Sequence, residues 1–509
     1  MELELERTEL NGCGTILDTT VCREETLEAI VPDACPDILR ICDVEGTVCL
    51  AGKEAQEGRV ELSGTVRAVL LYLPDGTDDG LRRMEVSLPF TCTADASGIH
   101  PACQVKAVPR VQSADAKLLN PRKVLVRVSL AADVQVFCPS SMSVCSSVPD
   151  RAHFGIEQLS QQYDAYVTVC VQEKAFTFSD DLTLSGGKPE AEELLKSRAY
   201  VRCNEAKVIG NKLIFKGETQ LQLLCRGTDG GLFTAEFELP FSQIMEVSGA
   251  GEDAGCEVQV IVTDLDCTMD GGDGRMFSVS LDLLAQAVIR EARTVQMLTD
   301  AYSTMYPMTA DYRDYTLARL IDQGEKEVTV RELLETSALL KDAVDAYASI
   351  GPITQSRDGE RVTVTAQISV TALYQTDEGD MGSVTRPLQV SCTLELPEYA
   401  VCGCHCCCTA PIFAAAAAGG MEVRFPVSFR YMALASRTVP AISGITMEDG
   451  EPLDHSQRPS IVLRMVGPGE RLWDIAKAYG TTAGDIIQAN ALEEDAPVGG
   501  RLLLIPRKR

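Results

Sequence analysis

The densest set of reactive side chains in this 509-residue chain is CGCHCCC, Cys402 to Cys408, in which five cysteines surround His405. Thiolates and imidazole are the donors zinc prefers, and structural zinc sites draw them from two separated pairs of C-x₂₋₄-C spacing. Here all the donors fall in one run, with no second pair downstream, and adjacent thiolates cannot surround a tetrahedral ion. The run reads as a cysteine-rich loop, with no metal and no cofactor expected. The remaining histidines are His100, His153 and His455, and none has a nucleophile or an acidic partner at a recognisable spacing. GAGEDA, from Gly249, satisfies a dinucleotide fingerprint by letter, but it leads into the alternating CEVQVIV, not into the helix a pyrophosphate site needs. No Walker, H-E-x-x-H or G-x-S-x-G motif occurs, and the acidic pairs Asp78-Asp79, Asp180-Asp181 and Glu493-Glu494 read as surface charge. The chain is read as a non-enzyme.

Composition narrows the partners. The formal net charge is −28, which argues against nucleic acid, because phosphate binding requires a basic surface. Hydrophobic residues make up 45% of the chain and charged residues 24%, a globular balance. No run approaches the about 18 apolar residues of a membrane span. The opening MELELERTEL alternates Glu with Leu and has none of the parts of an export signal, so a cytoplasmic protein is expected. The twenty cysteines are scattered, and reduced, buried thiols acting as small hydrophobes are expected in place of a disulfide framework.

The elements that would carry any site repeat along the chain. Three stretches align, GRVELSGTVRAVLLYLPDG from Gly58, NKLIFKGETQLQLLCRGTDGG from Asn211 and ERVTVTAQISVTALYQTDEG from Glu360. Each gives a strand, a longer strand and a Gly/Asp turn, with a period of roughly 150 residues that suits tandem domains. Hairpins follow at the Asn-Pro turn after Leu119 and the Gly-Gly-Asp turn after Asp270. Such alternation implies sheets with one dry and one wet face, in antiparallel sandwiches or small barrels. Short helices are expected in PDACPDILRI, in KPEAEELLKS and in the latter half of residues 315–348.

The C-terminal stretch has a different period. IVLRMV alternates as a short strand, and GPGERLWDIAKAYG gives a turn and a helix with Leu472, Trp473, Ile475, Ala476 and Tyr479 inward. Gly480 suits a left-handed C-cap, Thr481 or Thr482 can cap a second helix with Ile486 and Ile487 inward, and GGRLLLIP closes as a strand. A β-α-α-β unit of about fifty residues results, and aromatic burial preferences make Trp473 a core residue in preference to a sugar platform.

PGERLWDIAKAYGTT, DIIQAN and GGRLLLIP resemble a LysM domain. That resemblance implies a groove for N-acetylglucosamine glycans such as peptidoglycan or chitin. One wall would be Pro468, Gly469, Glu470, Arg471 and Leu472, and the other Asn490, Ala491, Leu492 and Glu493. Arg471 stands where the family commonly carries a small hydroxyl residue, adding bulk and charge and leaving room for a protein ligand.

VPDACPDILRICDVEGTV with LPFTC, and KPEAEELLKSRAYVRC with FELPFSQ, resemble SPOCS domains, and the third copy is more diverged. Tandem SPOCS domains ending in LysM characterise spore-coat proteins of endospore-forming bacteria. The resemblance implies a mother-cell protein at the developing spore surface, an adaptor whose LysM domain docks a coat-basement ATPase of the stage IV sporulation protein A type. A peptidoglycan-binding protein at the cell wall is the alternative. The expected fold is mainly β: tandem sandwich or barrel-like SPOCS domains with short helices, plus the small β-α-α-β LysM domain. The expected divisions are repeat 1 (1–150), repeat 2 (151–305), a helix-containing connector (306–348), repeat 3 (349–446), a linker (447–460) and LysM (461–509).

Overall fold

Apolar alternation becomes strand almost continuously from residue 6 to residue 447. The computed structural model describes every residue except 77–79, 271, 337–338, 449–451, 454–458, 460, 494–497 and 507–509. Asp78, Asp79, His455, Glu494 and most of the 447–460 linker therefore lie outside the described residues.

One arrangement of strands occurs three times. The first unit runs β1 (Glu6–Ile30), β2 (Ile38–Gln56), β3 (Arg59–Pro74), β4 (Arg82–Asp95), β5 (Gln104–Asn120) and β6 (Lys123–Ser147). The second runs β7 (Ile156–Thr183), β8 (Ala191–Ile209), β9 (Lys212–Gly227), β10 (Leu232–Glu246), β11 (Gly255–Asp270) and β12 (Met276–Ser303). The third runs β13 (Met308–Glu335), β14 (Leu340–Asp358), β15 (Arg361–Thr376), β16 (Met381–Glu395), β17 (Val401–Cys408), β18 (Phe413–Ala417) and β19 (Gly420–Met447).

In each unit the long first and last strands pair antiparallel along their whole length, as β1 with β6, β7 with β12 and β13 with β19. The three strands after the first form a separate sheet, β2-β3-β4, β8-β9-β10 or β14-β15-β16, while β5, β11, β17 and β18 pair with the last strand of their unit. Each sheet faces its own unit's later strands across an apolar core: Val66, Leu70 and Val126 in the first unit, Phe215, Leu223 and Leu281 in the second, Val364, Phe425 and Val427 in the third. These are antiparallel sandwiches, and the two expected hairpins, β5–β6 and β11–β12, are present.

The three stretches expected to be helical are strands. PDACPDILRI turns into β2, KPEAEELLKS into β8, and the latter half of 315–348 runs from the end of β13 into the start of β14, with 337–338 outside the described residues; β13 is the full-length partner of β19 rather than part of a helical connector. Bulges are the physical cause, since each inserts a residue and breaks the period of two. They recur at matching positions, after Ile38 and Ile41 in β2, Ala191 and Leu194 in β8, and Leu340 and Ala343 in β14. β13 carries its own bulge after Leu320 and is mostly exposed, so its charges hide the alternation.

The units meet around an approximate threefold axis, because single clusters draw equivalent residues from all three. Leu10, Tyr163 and Tyr315 join one cluster between the long ribbons, and Leu71, Leu224 and Leu373 join another between the three-stranded sheets. Gly12 lets β1 and β7 cross closely, since a Cβ there would meet the Thr168 carbonyl oxygen at 2.6 Å. A cavity of about 1060 Å³ lies where the ribbons diverge, lined in part by Gly12, Tyr166, Glu257, Arg290, Gln323 and His405.

Beside the apolar junction sits a buried ionic one. Asp43, Lys196 and Asp345 occupy the same register position in β2, β8 and β14, directly after the second bulge. Lys196 pairs with Asp43, with Glu45 at 2.9 Å and with Asp345 at 3.7 Å. Arg198 reaches Glu45 at 2.8 Å and Asp345 at 2.9 Å, while the Tyr347 hydroxyl donates to Asp43 at 3.0 Å. Two cations of the second unit thus hold three carboxylates of its neighbours.

Candidate functional site

The Cys402–Cys408 run is a strand, β17, and not the loop its composition suggested. Alternation places Cys402, Cys404, Cys406 and Cys408 against the third core, where burial raises their thiol pKa values, those of Cys404 and Cys408 to about 12. Protonated, desolvated thiols are poor ligands and poor nucleophiles. His405 points the other way, 3.7 Å from Asp133 of β6. One expectation about cysteine fails: Cys103 and Cys138 form a disulfide, tying the turn before β5 to β6, while the other cysteines are free thiols.

The elements of the C-terminal module form as read, although of the expected pair Ile486 and Ile487 only Ile486 is buried in its core. The module consists of β20 (Ile461–Met465), α1 (Leu472–Tyr479), α2 (Ala483–Ala489) and β21 (Leu502–Pro506), with β20 and β21 antiparallel. Val466, Ile475, Ala476, Ile486, Leu503 and Ile505 fill its core. Gly480 ends α1 in the left-handed region at φ 64°, and Thr482 caps α2 by accepting from the Asp485 amide at 3.0 Å.

The nine residues expected to form the groove divide by role. Glu470 accepts from the Gly467 amide at 2.8 Å and from Arg464 at 2.6 Å, which braces the first loop. Asn490 donates to the carbonyls of Ile486 and Leu504 and accepts from the Leu504 amide at 2.7 Å, locking α2 onto β21. Leu472 and Leu492 pack against the module's core. Pro468, Gly469, Arg471, Ala491 and Glu493 are exposed. Arg471 forms a two-pronged pair with Asp474, both bonds at 2.9 Å, so its charge is already partnered.

Trp473 departs from the expectation of a simple core residue. It is half-buried, and its indole N–H donates to the Asp300 carboxylate of β12 at 2.7 Å. Lys477, one turn on, donates to the other Asp300 oxygen at 2.7 Å, which also accepts from Tyr312 at 2.8 Å. Tyr302 lies edge-on to Trp473 with ring centroids 5.0 Å apart, and its hydroxyl donates to the Thr481 carbonyl at 2.7 Å. Burial pushes the Asp300 carboxyl up, but Lys477, Trp473 and Tyr312 outweigh it and hold its pKa below the ordinary value.

Comparison with known families finds two matches. Residues 37–119 and 190–270 match the family described as SipL, SPOCS domain, and residues 465–506 match the LysM domain. The chain carries two SPOCS segments in tandem and a C-terminal LysM domain. No curated protein matches it. The SPOCS matches begin just before β2 and β8 and end in β5 and β11, so they take in each three-stranded sheet and the start of the packing face. The Asp300–Trp473 contact escaped sequence reasoning, because nothing in either segment announces a partner 173 residues away. Among the described residues no helix is long and apolar enough to cross a membrane.

Proposed function

We propose that the chain is a non-catalytic adaptor of spore-coat assembly, with a SPOCS body that organises contacts and a LysM domain that docks a coat-basement ATPase of the stage IV sporulation protein A type or cortex material. The observation that carries this reading is the order of domains: two SPOCS matches followed by LysM in one chain. That pairing supports a sporulation-associated protein acting at the developing spore surface, on the mother-cell side. The matching bulges and ionic position of β14 support a third SPOCS repeat, beginning at β13 and closing at β19.

The exposed part of the expected groove supports a protein ligand. Pro468, Gly469, Arg471, Ala491 and Glu493 offer charge and backbone but no aromatic face on which a sugar ring could stack. The LysM fold itself favours the second reading, retention on peptidoglycan. The two separate by co-purification. Full-length protein, and a chain ending at residue 458, are each presented with the ATPase and with purified peptidoglycan. Retention of the ATPase by the full chain alone supports the adaptor reading. Unchanged retention by the shortened chain refutes LysM as the contact, and retention by peptidoglycan alone selects the alternative.

A further inference from the structure

The second repeat carries a receptor that the other two lack. After the bulge near the end of each last strand, the matching positions are Ser147 in β6, Asp300 in β12 and Gly444 in β19. Two residues later stand Pro149, Tyr302 and Thr446. At these two positions, therefore, only the second repeat carries a carboxylate and an aromatic ring.

We propose that the LysM domain is a docked module, with the Asp300–Tyr302 segment as its dedicated receptor and the Trp473–Lys477 face of α1 as the docking surface, so that ligand is taken on the remaining loops. Polar and apolar contacts converge there. Asp300 accepts from an indole, an ammonium and a phenol, which satisfies both carboxylate oxygens with charge-assisted bonds. Tyr302, only 6% exposed, belongs to the module's own apolar cluster although it lies on β12. The aromatic pair adds directional packing between the same two elements. Pro468, Gly469, Arg471, Ala491 and Glu493 remain exposed in the docked arrangement, which leaves them for a partner. The docking stands on the contacts alone; the confinement of ligand to these loops rests on the proposed function.

Trp473, the only tryptophan, is its own reporter in the full-length chain. In the native protein its emission should be blue-shifted and protected from acrylamide. Asp300→Ala and Lys477→Ala should each shift it to the red and raise quenching several-fold, with the far-ultraviolet circular dichroism of the β body unchanged. If Asp300→Ala disturbs folding, Asp300→Asn is read in its place. It keeps an acceptor for the indole, loses the charge facing Lys477, and should give an intermediate change. Native Trp473 quenched as readily as a free tryptophan amide overturns the docking, as does an Asp300→Ala protein with native emission and quenching. Titration with the ATPase and with purified peptidoglycan then tests the confinement. A ligand that binds while Trp473 stays protected supports it, and one that exposes Trp473 overturns it. Protected Trp473 with no binding of either ligand refutes the proposed function and leaves the docking intact.

Discussion

Lys196 of the second repeat and Asp345 of the third lie 3.7 Å apart, with side chains only 3% and 1% exposed. Lys196 also meets Asp43 of the first, so one ammonium is shared by the three units at equivalent register positions. Identical repeats could not build this junction, because three copies of one residue would bring like charges together.

Removing that ammonium should be severe. Lys196→Ala leaves Asp43 and Asp345 buried without it, and loss of one partner from such a site costs about 3–5 kcal/mol. The expected result is a urea midpoint well below that of the native chain, with an Asp43→Ala, Lys196→Ala double variant losing less than the sum of the singles. Additive losses would show that the two side chains do not interact.

The same junction sets an acid limit. Burial raises the Glu45 and Asp345 carboxyls, but Arg198 and Lys196 outweigh it and hold both pKa values below ordinary. A carboxylate depressed in the folded state contributes stability that is complete above its unfolded pKa, about 4. That contribution fades as pH falls through the depressed value. Thermal unfolding followed at several pH values should give a midpoint insensitive to these groups from neutrality to about pH 5 and a decline below about pH 4. In Arg198→Met the folded pKa values of both carboxyls should rise toward the unfolded one, so the chain should be less stable at neutrality and this part of the acid decline should shrink.

The ribbon crossing tolerates no side chain at one point. Gly12→Ala places a Cβ against the Thr168 carbonyl oxygen, so β1 and β7 must separate. A loss of about 1–3 kcal/mol is expected, in the range of overpacked cores. Chemical denaturation measures it, and Gly14→Ala, whose nearest neighbour would be Ser140 at 3.7 Å, is the control expected near native.

Within LysM, Asn490→Ala removes two hydrogen bonds that join the end of α2 to Leu504 of β21, and a third that closes α2 on Ile486. Leaving the Leu504 amide and carbonyl without this partner should cost about 1–3 kcal/mol. The thermal transition followed by Trp473 fluorescence should then fall, ahead of the β body followed by circular dichroism.

Much of the fold was legible because half-buried strands alternate. The three aligned stretches from Gly58, Asn211 and Glu360 became β3, β9 and β15, the central strands of equivalent sheets. β2, β8 and β14 were harder to read, since paired bulges at their starts bring apolar residues to spacings that imitate a helix. The LysM module was readable nearly residue by residue, because caps and turns are local. What joins distant parts was not. Asp43, Lys196 and Asp345 look like ordinary surface charges until the register aligns them, and Asp300 gains its meaning only when α1 is laid against it.

A body of three nearly equivalent repeats reads the same after each third of a turn, and so carries no sense of direction in the plane across its axis. The single module seated on Asp300 and Tyr302 removes that degeneracy. It gives the molecule a heading, so a layer built from such chains could be laid down with one consistent orientation instead of three.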